Sequence, residues 1–211
     1  MKAGVVLDAA RRLLTDAANV RWGDPDLLLW LNAGQRQVAA VINSASSKRA
    51  TINQVAGFEQ TIPDDGIRLL SVLNNVNTDG TPGRVVTLIS RDELNAIRLS
   101  WPSQAATAPT KHYSYDEDQP KSFDVWPPAP VGAKLRIVYG ALPVDCADRD
   151  ADLGIDAIYE GALTDWICFR CYMEDSDDAA NGQRAANHLA AFQQALGIKD
   201  GTDKAGKPKR K

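Results

Sequence analysis

Hydrophobic positions along the chain change period twice. In residues 3–17, Val6, Ala10, Leu13 and Ala17 recur every three or four positions, with Leu7 and Leu14 widening the stripe, which predicts an amphipathic helix. A second helix follows in W-G-D-P-D-L-L-L-W-L. Asp24 is placed to cap it, and Pro25 suits its first position, where a missing N–H costs nothing. Leu27, Leu31, Val38 and Ile42 form its stripe to about Asn43. Leu28, Trp30 and Val41 put apolar bulk outside that stripe, so this helix is expected to pack on two sides.

From Thr51 to Tyr139 the period falls to two. Phe58, Gln60 and Ile62 alternate with Glu59 and Thr61, and D-D-G at Asp64–Gly66 turns the chain before I-R-L-L-S-V-L. Further strands are predicted at Arg84–Ile89, Lys111–Tyr115, Ser122–Trp126 and Lys134–Tyr139, separated by N-T-D-G-T-P-G, D-E-D-Q-P and P-P-A-P. Ser90 and Glu93 form an S-x-x-E capping box for a short helix over Arg91–Ile97, and Ser100–Thr110 reads as a loop. The helical period then returns. Ile155, Ile158, Ala162, Trp166, Phe169 and Met173 trace one face of a helix from about Leu153 to Glu174. Ser176 or Asp177 caps a last one, with Ala185, Leu189, Phe192 and Leu196 inward and Gly197 at its stop.

The expected fold is therefore α+β: a four-helix bundle from residues 1–48 and 146–198, an inserted antiparallel β-rich domain at 49–145, and a basic extended C-terminal tail at 199–211. A length of 211 residues with 44% apolar side chains suffices for a real core. No apolar run approaches the roughly 18 residues of a spanning helix, and Met1–Thr15 lacks the charged start of a secretory leader, so neither a membrane span nor secretion is expected. Three cysteines cannot complete a disulfide framework and fit a reducing compartment.

The net charge of −3 hides an asymmetry. The tail carries six Lys/Arg against two Asp, leaving 18 basic and 25 acidic side chains in the rest of the chain. An acidic body argues against a duplex-binding enzyme, because neutralising DNA phosphates requires a cationic face.

Candidate chemistry is sparse. His112 and His188 lie in different blocks, and no G-x-S-x-G elbow is present, so no catalytic residue is assigned. Cys168 and Cys171 make a C-x-x-C, but deep in a helical pattern rather than at a helix start, and are expected to be buried and structural. Asp148, Asp150 and Asp152 imitate a calcium loop one place out of register, with Leu153 where glycine is required. They read instead as carboxylates at the positive end of the helix near Leu153. No metal or cofactor is assigned. Trp101, Tyr113, Tyr115, Trp126 and Tyr139 suit a sugar-binding face or, by their alternation, an ordinary core.

Taken as a set, W-G-D-P-D-L-L-L-W-L-N-A-G-Q-R from Trp22 to Arg36 resembles the adaptor proteins of short-tailed bacteriophages. So do F-E-Q-T-I-P-D-D-G-I-R-L-L from Phe58, Y-S-Y-D-E-D-Q-P-K-S-F-D-V-W-P-P from Tyr113 and L-T-D-W-I-C-F-R-C-Y-M-E-D-S from Leu163. That resemblance implies a structural, non-enzymatic virion protein made in the host bacterial cytoplasm. It implies a ring of identical subunits, commonly twelve, between the portal and the tail nozzle, with tail fibre proteins as further possible partners and DNA passing through without sequence-specific binding. The expected subunit or portal contacts are Leu28 and Trp30, with Lys204, Lys207, Lys209, Arg210 and Lys211 in the tail, whose thirteen residues span at most about 45 Å. A tail nozzle or tube component, and a carbohydrate-binding β module, are the alternative readings.

Overall fold

A computed structural model describes residues 1–175 and 179–197. Among these residues it shows a mixed α+β protein with five helices and two sheets in which antiparallel pairing predominates. The chain divides into two compact units, one from Met1–Ile42 together with the chain from Pro143 onward, the other from Asn43–Leu142.

In the first unit, α1 (Ala3–Leu13) buries Val6, Leu7 and Ala10 completely. It ends four residues earlier than its periodicity predicts. Thr15 takes a left-handed φ of 57°, and the Asp16 carboxylate accepts the N–H groups of Val20, Arg21 and Trp22, turning the chain before another helical turn can form. Next comes α2 (Asp24–Val41), whose cap position is Gly23 rather than Asp24, with Pro25 inside the first turn. The Asp24 carboxylate is not a helix cap, because two arginines claim it instead.

Two later helices complete this unit: α4 (Glu160–Glu174), entered through a single 3-10 turn at Ala157–Tyr159, and α5 (Ala179–Ala195). Helix α4 packs against α1, α2 and α5. It starts seven residues later than Leu153. Its buried positions are Ala162, Leu163, Thr164, Ile167, Cys168 and Cys171, whereas Ile158 and Met173 of the anticipated stripe are exposed. The apolar period runs along a flank of the helix, where Trp166 meets Phe192 of α5 with ring centroids 5.0 Å apart. Gly197 has the positive φ of a helix stop, as its sequence position predicts. The anticipated cap at Ser176 or Asp177 lies outside the described residues.

In the second unit the strands are β1 (Ser47–Asn53), β2 (Gly57–Thr61), β3 (Gly66–Val76), β4 (Pro82–Val85), β5 (Thr87–Leu88), β6 (His112–Ser114), β7 (Ser122–Ala129) and β8 (Lys134–Ala141). They form sheets of order β1-β8-β3-β4 and β2-β7-β6-β5. Leu69, Val72, Leu135 and Ile137 of one sheet share a core with Phe123, Val125 and Tyr113 of the other. The strand anticipated at Arg84–Ile89 is split. Val86 donates its N–H to Leu73 of the first sheet, and Thr87 and Ile89 donate theirs to Lys111 and Tyr113 of the second, so one run of chain serves both sheets. Pairing of β5 with β6 is parallel, against the antiparallel expectation. The crossover that parallel strands require is residues 89–111, which include α3 (Arg91–Ile97). That helix carries the predicted capping box, Ser90 bonding the N–H of Glu93 and Glu93 that of Ser90.

Candidate functional site

The signature from Trp22 to Arg36 can be followed residue by residue. Arg11, 4% exposed on α1, donates to the Trp22 carbonyl at 2.7 Å and to the Asp24 carboxylate at 2.7 Å, and its guanidinium lies 3.5 Å from Asp16. Arg149 reaches Asp24 from the returning chain and pairs with Asp8 at 2.7 Å. These hydrogen bonds, that from Arg11 first, hold the Asp24 carboxyl below its ordinary range. For Asp16 the backbone N–H of Trp22 is the leading cause of the same shift.

Further along α2, Asn32 is buried and treats Cys146 as a strand neighbour would. It accepts the Cys146 N–H at 2.8 Å and donates to its carbonyl at 3.0 Å. Gln35, fully buried, accepts the Gly154 N–H at 2.6 Å and donates to Asn32. Arg36 pairs with Asp145. Gly34 admits Trp166, since a Cβ there would lie 2.7 Å from the indole ring. The signature is thus a clamp that fixes α1, α2 and the segment 145–154 around α4, with Asp24, Asn32, Gln35 and Arg36 all bonded inside the unit, while the buried indole N–H of Trp30 has no hydrogen-bond partner among the described residues.

What remains for partners is on the outside. Leu28 and Trp30 are both half-buried, and the most open leucine of the run is Leu29, 56% exposed. The helical period signals this, since position 29 lies opposite the buried Leu27 and Leu31. Trp30 lines a groove with Phe169, Met173 and Glu174, and the Arg170 guanidinium stacks 4.2 Å from its ring centroid. Arg170, with no periodic signal of its own, was not legible as part of this face. Lys204, Lys207, Lys209, Arg210 and Lys211 lie outside the described residues.

Acidity is not spread over the body. Ten basic and ten acidic side chains fall between residues 43 and 142, against eight and fifteen in the remaining residues up to 198, so the whole acidic excess belongs to the helical unit. Asp148 closes a turn by accepting the N–H groups of Asp150 and Ala151, and Asp152 pairs with Lys2. Neither sits at a helix start, because α4 begins only at Glu160. Among the described residues no group of three or more His, Cys, Asp or Glu is placed to hold a metal ion.

Cys146, Cys168 and Cys171 are free and buried, and burial pushes the last two thiols up to about 12. His188 bonds Asp165 at 2.8 Å and stacks on Tyr172. In the β unit, Trp101, Tyr113 and Tyr139 are core residues, so the five aromatic side chains do not share an exposed face. His112 stacks on Trp126 and bonds the Thr87 hydroxyl at 2.6 Å.

The molecule is thus an α+β protein with a clamped helical unit that holds all the excess negative charge and a charge-balanced two-sheet unit. The family model described as SU10 adaptor protein matches residues 1–211, and the chain belongs to this family of phage adaptor proteins. Membership makes it a structural virion component associated with portal and tail components. No curated protein matches the sequence. Among the described residues no helix is long and apolar enough to cross a membrane.

Proposed function

We propose that the chain is a head-to-tail adaptor whose copies, twelve to a ring, seat beneath the portal and above the tail nozzle, with DNA passing through the ring. The family match along the whole chain is the observation that carries this reading. The helical unit is read as a four-helix bundle, α1, α2, α4 and α5, interrupted by the β unit as an inserted domain. Concentration of the acidic excess in that unit suits a channel wall, because carboxylates keep a duplex off the surface within a Debye length of about 10 Å at 0.1 M salt. Leu28, and Trp30 in the groove that Met173 helps to line, are taken as contacts to a neighbouring subunit or the portal, with the exposed Leu29 between them. The basic residues Lys204, Lys207, Lys209, Arg210 and Lys211 are taken as an electrostatic anchor to the same partners.

Mass measurement of the complex with the portal of the same phage tests the reading. About twelve adaptors per portal ring are expected, with lower occupancy and weaker salt dependence when residues 199–211 are deleted. A single adaptor per portal ring overturns it.

A further inference from the structure

The β unit carries an apolar groove of about 440 Å³ between the edge strand β5 and helix α3. Leu88 and Ile97 line it with 64% and 67% of their surfaces open to water. His112 lies on its wall, and burial together with the nearby charges of Arg84 and Lys111 holds that imidazole below its ordinary value. Arg84 and Lys111 are exposed and have no carboxylate partner among the described residues. Glu93, on the same groove, is occupied by the Ser90 N–H and hydroxyl in the capping box. The groove is therefore apolar with unbalanced cations beside it.

Its complement is on the other unit. Ile158, in the 3-10 turn that enters α4, is 79% exposed and stands two residues from Asp156 on one side and two from Glu160 on the other. Asp156 accepts the Ile158 N–H at 3.1 Å through one carboxylate oxygen, neither carboxylate has a cationic partner among the described residues, and this unit holds the acidic excess of the chain. We propose that Ile158 of one copy seats in the β5–α3 groove of the next, with Asp156 and Glu160 meeting Arg84 and Lys111. Knob and groove are different surfaces of one chain, so the contact repeats head to tail, the kind of interface that closes into a ring. This rests on the reading that copies assemble as a ring, and it names the surfaces that join them.

The test is disulfide capture on the full chain carrying Leu88→Cys and Ile158→Cys, oxidised with copper–phenanthroline. The three native thiols are buried and do not compete. A ladder of linked species beyond the dimer is expected. Mixing chains that carry only one of the two cysteines should stop the ladder at the dimer. Arg84→Glu with Lys111→Glu should abolish it, and adding Asp156→Lys with Glu160→Lys should restore it. If the double-cysteine chain forms rings by mass measurement but gives no ladder, or gives dimers alone, this contact is wrong and the ring reading stands. Absence of both ladder and rings overturns both. A ladder without rings on the portal keeps the contact and overturns the portal-seated ring.

Discussion

At the scale of single residues, Arg11 ties three polar groups of the helical unit together. It is 4% exposed, and its guanidinium answers the Trp22 carbonyl, Asp24 and Asp16 at once. Removing the cation leaves carboxylates behind, which costs more than the pair contributes when intact. Arg11→Met should lower unfolding free energy by about 3 kcal/mol, Asp24 keeping Arg149 and Asp16 keeping its three N–H donors. The sign with pH follows from the lowered carboxyls. Their stabilisation is complete above the ordinary value of 3.8 and fades as pH falls through their folded values. Urea unfolding at neutral pH and at about pH 3 should therefore show the gap between wild type and variant narrowing in acid. A gap that is independent of pH would assign the loss to packing alone.

At the scale of elements, the sequence states which helices and strands exist more clearly than where they begin. Capping chemistry was legible where it is local: the Ser90–Glu93 box and the Gly197 stop stand where they were read. It misled at Asp24 and at Asp148–Asp152, because carboxylates near a helix start look alike whether they cap it, pair with an arginine 13 or 125 residues away as Asp24 does, close a turn as Asp148 does, or pair with Lys2 as Asp152 does. Strand switching at Val86 had no signal, since the apolar run V-V-T-L-I reads as one strand whichever sheet its N–H groups join. Of the candidate contact face, Trp30 was legible as apolar bulk off the stripe, while Arg170 and the β5–α3 groove depend on tertiary placement that periodicity does not encode. Close packing of α2 on α4 gives a sharp test. Alanine is a better helix former than glycine by about 1 kcal/mol, so Gly34→Ala would stabilise an isolated helix. Here the new methyl would lie 2.7 Å from Cδ1 of Trp166 and 3.2 Å from Leu163, both held by packing. Overpacking of this kind costs roughly 1–3 kcal/mol and should win, lowering the thermal midpoint; an unchanged or raised midpoint would mean that the α2–α4 contact yields freely.

At the scale of the whole molecule, the β unit is a single excursion of the chain that returns to where it left. Ser46 bonds Ala141 through both backbone and side chain, and a Cβ on Gly140 would lie 2.8 Å from the Asn43 carbonyl, so the two ends of Asn43–Leu142 meet. Between them lies a core of its own, with Leu135, Ile137, Val125 and Ala129 fully buried. Buried amides are bonded within the unit: Asn75 bonds the backbone of Thr110 and Arg84, and Gln54 bonds the Thr110 hydroxyl. About a hundred residues with a closed core is an ordinary size for a domain that folds alone. The charges of this stretch balance, so excision creates no self-repulsion that its parent lacked. Residues 43–142 produced alone should unfold cooperatively, with near-ultraviolet circular dichroism lost in one transition and Trp101 and Trp126 shifting together in fluorescence. Its opposite would be a collapsed state with secondary structure but no fixed aromatic signal. That result would mean the two sheets need the helical unit to hold them, and it would sink the reading of the β unit as an inserted domain.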